Sequence, residues 1–274
     1  MSSAFTADWL SLRESLDHQA RSTELVGALA GQLRPDGPII DLGAGHGSNL
    51  RYLAPRLGPA RDWLLLDQDV KLLNEAGRNA PVQRVDTRAV NLTRLPQLDL
   101  PRPALVTASA LIDLASADWL DSLARRVSEW KVPLMIALSV DGRRGFLLPD
   151  GQDQIEDTDD TCRRAFNHHQ TGAKGLGWGP ALGPDAVRAL TRALQRHGFR
   201  VQSATADWRI PANSDLARTL GRALLEDWHQ AVADTGRLPA RELAEWLRMR
   251  RAALATGQLG LMVGHQDLLA LPPG

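Results

Sequence analysis

Residues 38–49 read PIIDLGAGHGSN, an apolar run that ends in Asp41 and then places glycine at positions 43, 45 and 47. Few structures use glycines at every second position directly after an apolar strand. Glycine reaches left-handed backbone conformations and lets other atoms approach the main chain. The pattern therefore predicts a buried strand, a tight turn through Gly43, Gly45 and Gly47, and a helix that begins near Ser48 and continues through Leu50, Tyr52 and Leu53. The first amides of such a helix lack intrahelical partners and suit a carboxylate or phosphate.

The surrounding pattern supports an α/β chain. Trp9, Leu12 and Leu16, then Leu25, Leu29 and Leu33, recur at helical spacing and predict two N-terminal helices with Ser22 as a cap between them. Short aliphatic runs follow at 38–42, 63–66, 82–90, 104–109 and 133–139, alternating with helical stretches. Strands buried on both faces of a parallel sheet have this composition. Gly183-Pro184-Asp185 opens another helix, Gly198 closes it, and residues 199–210 and 259–271 read as two final strands. The expected architecture is a Rossmann-like, seven-stranded, mostly parallel sheet flanked by helices. Over the single domain 1–274, residues 1–35 form an N-terminal helical lid, 141–183 a long connection and 212–257 a helical insert before the last strand.

The chain has 274 residues with 32 basic and 32 acidic side chains, so its overall charge does not favour nucleic acid or an anionic membrane. No apolar run approaches the length of a membrane span, and charge comes too early for a secretory leader, which makes a cytoplasmic protein the simplest expectation. The single cysteine, Cys162, excludes an internal disulfide and cysteine-rich zinc sites, and no other metal-ligand spacing is convincing.

Two ligand classes use a glycine turn of this kind. A dinucleotide turn requires G-x-G-x-x-G, whereas here the third glycine stands one place early and Ser48 occupies its position. The D-x-G-x-G-x-G form instead resembles motif I of the class I S-adenosylmethionine-dependent methyltransferases. That resemblance implies a loop of Asp41, Gly43, Ala44, Gly45 and Gly47 around the methionine part of the cofactor. It also places Asp67, at the end of WLLLDQD, against the ribose hydroxyls, with Gln68 beside the adenine. A short carboxylate can accept two such bonds. Asp86 and Asn91 are the two candidates for an adenine contact, and Asn91, which ends the run VDTRAV, is preferred. ALVTASALIDL resembles motif IV, which puts Ser109, Ala110 and Leu111 beneath the cofactor. The resemblance covers residues 38–140 and implies methyl transfer to an oxygen or nitrogen atom of a small molecule. A protein methyltransferase and a catalytically silent cofactor-binding module are the alternatives.

Acceptor recognition is assigned to the 141–183 connection. Thr158 is a candidate cap for a helix with Asp159 and Asp160 in its first turn, Phe166 as anchor, and Asn167 and Gln170 on one general side as acceptor contacts. His168 and His169 are candidate general bases, although adjacent histidines at a helix end are also common as solvated or capping residues. The acid run 150–160 reads as a solvated surface and helix start. Arg13, Asp17 and Arg21 stand four apart; this is most simply a surface ion-pair ladder, with the alternative of a lid whose arginines meet a substrate carboxylate or the cofactor, and Arg13 is the substrate-binding candidate. The sequence leaves the oligomeric state open.

Overall fold

The computed structural model describes residues 7–154, 156–173 and 175–274. The first six residues of the expected lid, and Ile155 and Lys174 of the long connection, lie outside the described residues. The chain divides into two compact units. One comprises the described residues of Met1–Ser139, Ala173–Ala206 and Gln266–Gly274, and the other those of Val140–Gly172 and Asp207–His265.

In the first unit, helices α1 (Ala7–Ala20) and α2 (Thr23–Ala30) are separated by Ser22, whose hydroxyl accepts the Leu25 amide at 3.3 Å, as a helix cap does. Then follow β1 (Ile39–Leu42), α3 (Ser48–Leu57), β2 (Trp63–Asp67), α4 (Val70–Arg78), β3 (Val85–Ala89), β4 (Leu105–Ser109), α5 (Ala117–Trp130) and the long strand β5 (Leu134–Leu147), of which the residues up to Ser139 belong to this unit. After β6 (Asp153–Gln154) and α6 (Asp157–Gln170), which are in the second unit, the chain returns through α7 (Ala186–Arg196) and β7 (Arg200–Thr205). The remaining elements are β8 (Trp208–Ile210), α8 (Arg222–Thr235), α9 (Ala240–Ala255) and β9 (Gly260–Leu271), whose last six residues complete the first unit.

The sheet path is β3-β2-β1-β4-β5-β9-β7. Strands β3, β2, β1, β4 and β5 pair in parallel, and β7 pairs antiparallel with β9. This is the Rossmann-like, mostly parallel sheet expected from the sequence, but among the described residues it has nine strands rather than seven, because β6 pairs with β5 and β8 with β9 off this path. Alternate residues serve opposite faces: Ile40, Leu42, Val106 and Ala108 pack with Trp119, Leu123 and Leu190, whereas Ile39, Leu65, Leu105 and Met135 pack with Leu29, Leu53 and Leu73. One strand departs from the expected burial. β3 ends the path, and its residues Asp86–Ala89 are exposed because an edge strand needs no apolar cover on both sides.

The second unit contains the far half of β5, the near half of β9, and β6, β8, α6, α8 and α9. Phe146 lies edge-on to Trp228 and Trp246, with ring centroids 6.0 and 6.3 Å away. Three expectations are corrected here. Residues 199–210 do not form one strand: β7 and β8 are separated by Ala206 and Asp207, and the Asp207 carboxylate accepts from Arg143 at 2.7 and 3.0 Å. Thr158 is not the cap of α6, since Glu156 holds that position and Thr158 is already helical. The acid run is not uniformly solvated either. Asp159 accepts from Trp246 Nε1 at 2.7 Å and from the buried Arg250 at 2.7 and 2.9 Å, so part of the run is an internal ion pair. Among the described residues, no helix is long and apolar enough to cross a membrane.

Candidate functional site

The glycine turn leaves β1 at Leu42. Gly43 and Ala44 both donate their amides to Leu66 O of β2, at 2.8 and 3.1 Å, and Gly47 donates to Ala44 O at 2.9 Å. Gly43, Gly45 and Gly47 all have positive φ, at 66°, 51° and 89°. Their surroundings differ. A Cβ on Gly43 would meet Leu111 Cδ1 at 2.9 Å, and one on Gly47 would meet Ala76 Cβ at 3.0 Å, so those two glycines give space to the protein's own side chains. A Cβ on Gly45 would come no closer than 3.8 Å to Leu10 Cδ1, and the main chain there faces a cavity.

That cavity has a volume of about 300 Å³ and belongs entirely to the first unit. Gly43, Ala44 and Gly45 form one part of its wall, Asp67 and Gln68 another, and Asn91 a third. Ser109, Ala110 and Leu111 line it from the end of β4, where Ala110 has a φ of 51°. Asp67 is tied into the turn it faces: Oδ2 accepts the Gly45 amide at 2.8 Å and Oδ1 accepts the Asp69 amide at 2.9 Å. Each oxygen keeps one further acceptor position, so the carboxylate both orders the loop and remains able to receive two hydroxyls. Asn91 accepts the Thr93 amide at 2.9 Å at the start of a 3₁₀ turn, which fixes its side chain at the mouth of β3.

Other sequence candidates lie elsewhere. Asp41 is fully buried behind the turn, between β2 and β4, where Asn49 Nδ2 donates to its Oδ1 at 2.8 Å and to Thr107 Oγ1 at 3.1 Å. Burial pushes the Asp41 carboxyl up to about 7, against the lowering effects of Asn49 and Arg21. Gly47 is not part of the cavity wall, and Asp86 sits within the exposed edge strand. Asn167, His168, His169 and Gln170 occupy the last turn of α6 in the second unit. There Asn167 Nδ2 donates to Gly142 O at 2.9 Å, His168 is exposed, and His169 Nε2 lies 3.7 Å from Asp234.

The charged row on α1 is the main feature that the sequence pattern misassigns. Asp17 and Arg21 are buried, at 6% and 5% exposure, so the row is not a surface ladder. Leu10, Arg13 and Asp17 follow one another at three- and four-residue steps and all line the cavity. Arg13 Nε donates to Asp17 Oδ2 at 3.0 Å. Beside them, Arg51 grips both Glu14 oxygens at 2.6 Å, and His46, another wall residue, lies 3.0 Å from Glu14 Oε2. Burial opposes the Glu14 charge, but Arg51 and His46 outweigh it and hold this carboxyl down at about 2. Spacing was the available signal, since polar residues at positions 10–21 share a helical stripe with Leu10, but spacing alone does not say which face is covered.

The first unit thus defines a class: a Rossmann-like α/β fold with a ligand-sized cavity at the carboxyl ends of its central strands. No family model and no curated protein matches the chain. Solved structures give slight likenesses. Phosphoethanolamine N-methyltransferase 2 of Haemonchus contortus in complex with S-adenosyl-L-methionine is 11% identical with a TM-score of 0.46, and the match covers 100% of this chain and 59% of that one. A putative methyltransferase of Bacillus halodurans is 12% identical with a TM-score of 0.48, over 92% and 100% of the two chains. Geranyl diphosphate C-methyltransferase of Streptomyces coelicolor is 13% identical with a TM-score of 0.45, over 93% and 77%. Similarity of this degree does not transfer an activity.

Proposed function

We propose that this chain binds S-adenosyl-L-methionine in the first-unit cavity and transfers its methyl group to an oxygen or nitrogen atom of a small molecule. The juxtaposition of Asp67 with the glycine turn supports this reading, because one carboxylate orders Gly45 and faces the same cavity with acceptor capacity to spare. The residues fit the cofactor. Gly45 presents open backbone to the space, and the cavity volume of about 300 Å³ is within the range of small-molecule sites.

In this assignment Gly43, Ala44 and Gly45 hold the methionine part, Asp67 the ribose, Gln68 and Asn91 the adenine edge, and Ser109 and Ala110 the floor. The cofactor supplies a methyl group on a positively charged sulfur, open to in-line displacement. The chain's own contribution is alignment of the acceptor and exclusion of water, which together can supply much of the rate without an obligatory catalytic side chain. Arg13 is the proposed acceptor contact from the cavity wall.

The test is a mass-spectrometric comparison of metabolite and polypeptide fractions incubated with the protein and S-adenosyl-L-methionine. A cofactor-dependent gain of one methyl group in a small molecule is expected. Labelling confined to polypeptides, or binding without any turnover, contradicts the small-molecule reading.

A further inference from the structure

The wall of the cavity contains an acid that none of the roles above uses. Asp17 is 6% exposed, and burial pushes its carboxyl upward even though Arg13 stands beside it. Its Oδ2 accepts from Arg13, while its Oδ1 is buried and has no hydrogen-bond partner among the described residues. A buried carboxylate oxygen without a partner is costly, and an arriving positive group with N–H donors relieves that cost.

The place of Asp17 decides which positive group this is. Along the sheet path, β2 and β3 lie on one side of β1, and β4 lies on the other. The nucleoside contacts, Asp67, Gln68 and Asn91, come from the ends of β2 and β3. A Cβ added to Gly45, in the turn after β1, would meet Leu10 Cδ1 of α1 at 3.8 Å. One residue beyond Asp17, His18 Nε2 reaches Ser48 O and Oγ at 3.1 Å, which fixes this turn of α1 against the first residue of α3. Asp17 therefore stands at the glycine-turn end of the cavity. That end also holds the N-terminus of α3, whose amides favour a carboxylate.

An amino-acid group placed there meets both of its charges, with its carboxylate toward the α3 amides and its ammonium toward the acid. We propose that Asp17 Oδ1 accepts hydrogen bonds from the α-ammonium of the cofactor's amino-acid part, and that Arg13 is a positioning residue that holds the carboxylate in this orientation. The assignment rests on the cofactor reading above and adds a second recognition element that the glycine turn does not supply.

Calorimetric titration of the full chain at neutral pH separates the two ideas. S-adenosylhomocysteine carries the ammonium, its deaminated analogue lacks only that group, and 5′-methylthioadenosine lacks the whole amino-acid part. Asp17→Asn is expected to bind S-adenosylhomocysteine about 10- to 100-fold more weakly while binding 5′-methylthioadenosine as the unaltered chain does. The unaltered chain should disfavour the deaminated analogue by a similar factor, a measurement that does not depend on the folding of any variant. Equal binding of S-adenosylhomocysteine and its deaminated analogue by the unaltered chain overturns the assignment of Asp17 and leaves the cofactor reading standing. So does an equal loss of S-adenosylhomocysteine and 5′-methylthioadenosine in Asp17→Asn. Failure of the unaltered chain to bind S-adenosylhomocysteine overturns the cofactor reading itself.

Discussion

Arg21 Nε donates to Asp267 Oδ2 across 3.3 Å, and both side chains are buried, at 1% and 0% exposure, although 246 residues separate them. Asp267 also accepts the Ser22 amide and the Leu138 amide, each at 2.9 Å, and Arg21 Nη1 donates to Asn49 at 3.0 Å. One carboxylate thus ties the α1–α2 junction to β5 and β9, and through Asn49 the same network reaches Asp41 behind the glycine turn. Helix α1 and the turn share a polar support beneath the cavity.

Removing that support leaves a buried guanidinium and two amides without their acceptor. Asp267→Ala is expected to destabilise the first unit by about 3 to 5 kcal/mol, well beyond the effect of breaking a surface ion pair. Urea unfolding followed by tryptophan fluorescence measures this. A loss below about 1 kcal/mol contradicts the network's structural role.

Asp41 gives a pH dependence whose sign can be worked out. Its ordinary value is 3.8, and burial raises it to about 7 in the fold, so the folded state prefers the neutral acid. The favourable contribution is complete below the unfolded value and is lost as the pH rises through about 7. Asp41→Asn cannot ionise. Its stability relative to the unaltered chain should therefore grow between about pH 5 and pH 8, by about 2 to 3 kcal/mol. Parallel unfolding curves at several pH values report the difference, and a constant offset contradicts a buried neutral Asp41.

In the proposed assignment Asp67 has two separable duties. Asp67→Asn keeps an oxygen for the Gly45 or Asp69 amide but loses the charge, and it should weaken S-adenosylhomocysteine binding by about 1 to 3 kcal/mol with little change in melting temperature. Asp67→Ala also releases the Gly45 amide, so it should lose affinity and loosen the turn together. Unchanged affinity in a folded Asp67→Ala variant removes this residue from the site.

What the sequence reveals follows from how local each signal is. The turn at Gly43–Gly47 and strands β1, β2 and β4 are legible because a buried parallel strand and a positive-φ turn impose residue types on their own few positions. The position of Asp67 at the tip of β2 is legible for the same reason. Arg13, Asp17 and Arg21 are misread because charges four apart are what a solvated helix face shows, whereas the buried Arg21 is partnered by Asp267 and Asn49, far away in the chain. Asp267 in turn hides inside an apolar strand, where no spacing rule marks it as a partner for Arg21. The break at Ala206–Asp207 and the pairing of Asp159 with Arg250 depend on the same kind of distant contact.

We propose that the cavity beside the glycine turn takes S-adenosyl-L-methionine. The most direct measurement is an equilibrium titration of the full chain with S-adenosyl-L-methionine and, separately, with NAD. Saturable binding of S-adenosyl-L-methionine at one site per chain is expected, with no detectable binding of NAD, because the third glycine has the wrong register for a pyrophosphate turn. Tight binding of NAD with no response to S-adenosyl-L-methionine is the result that contradicts it.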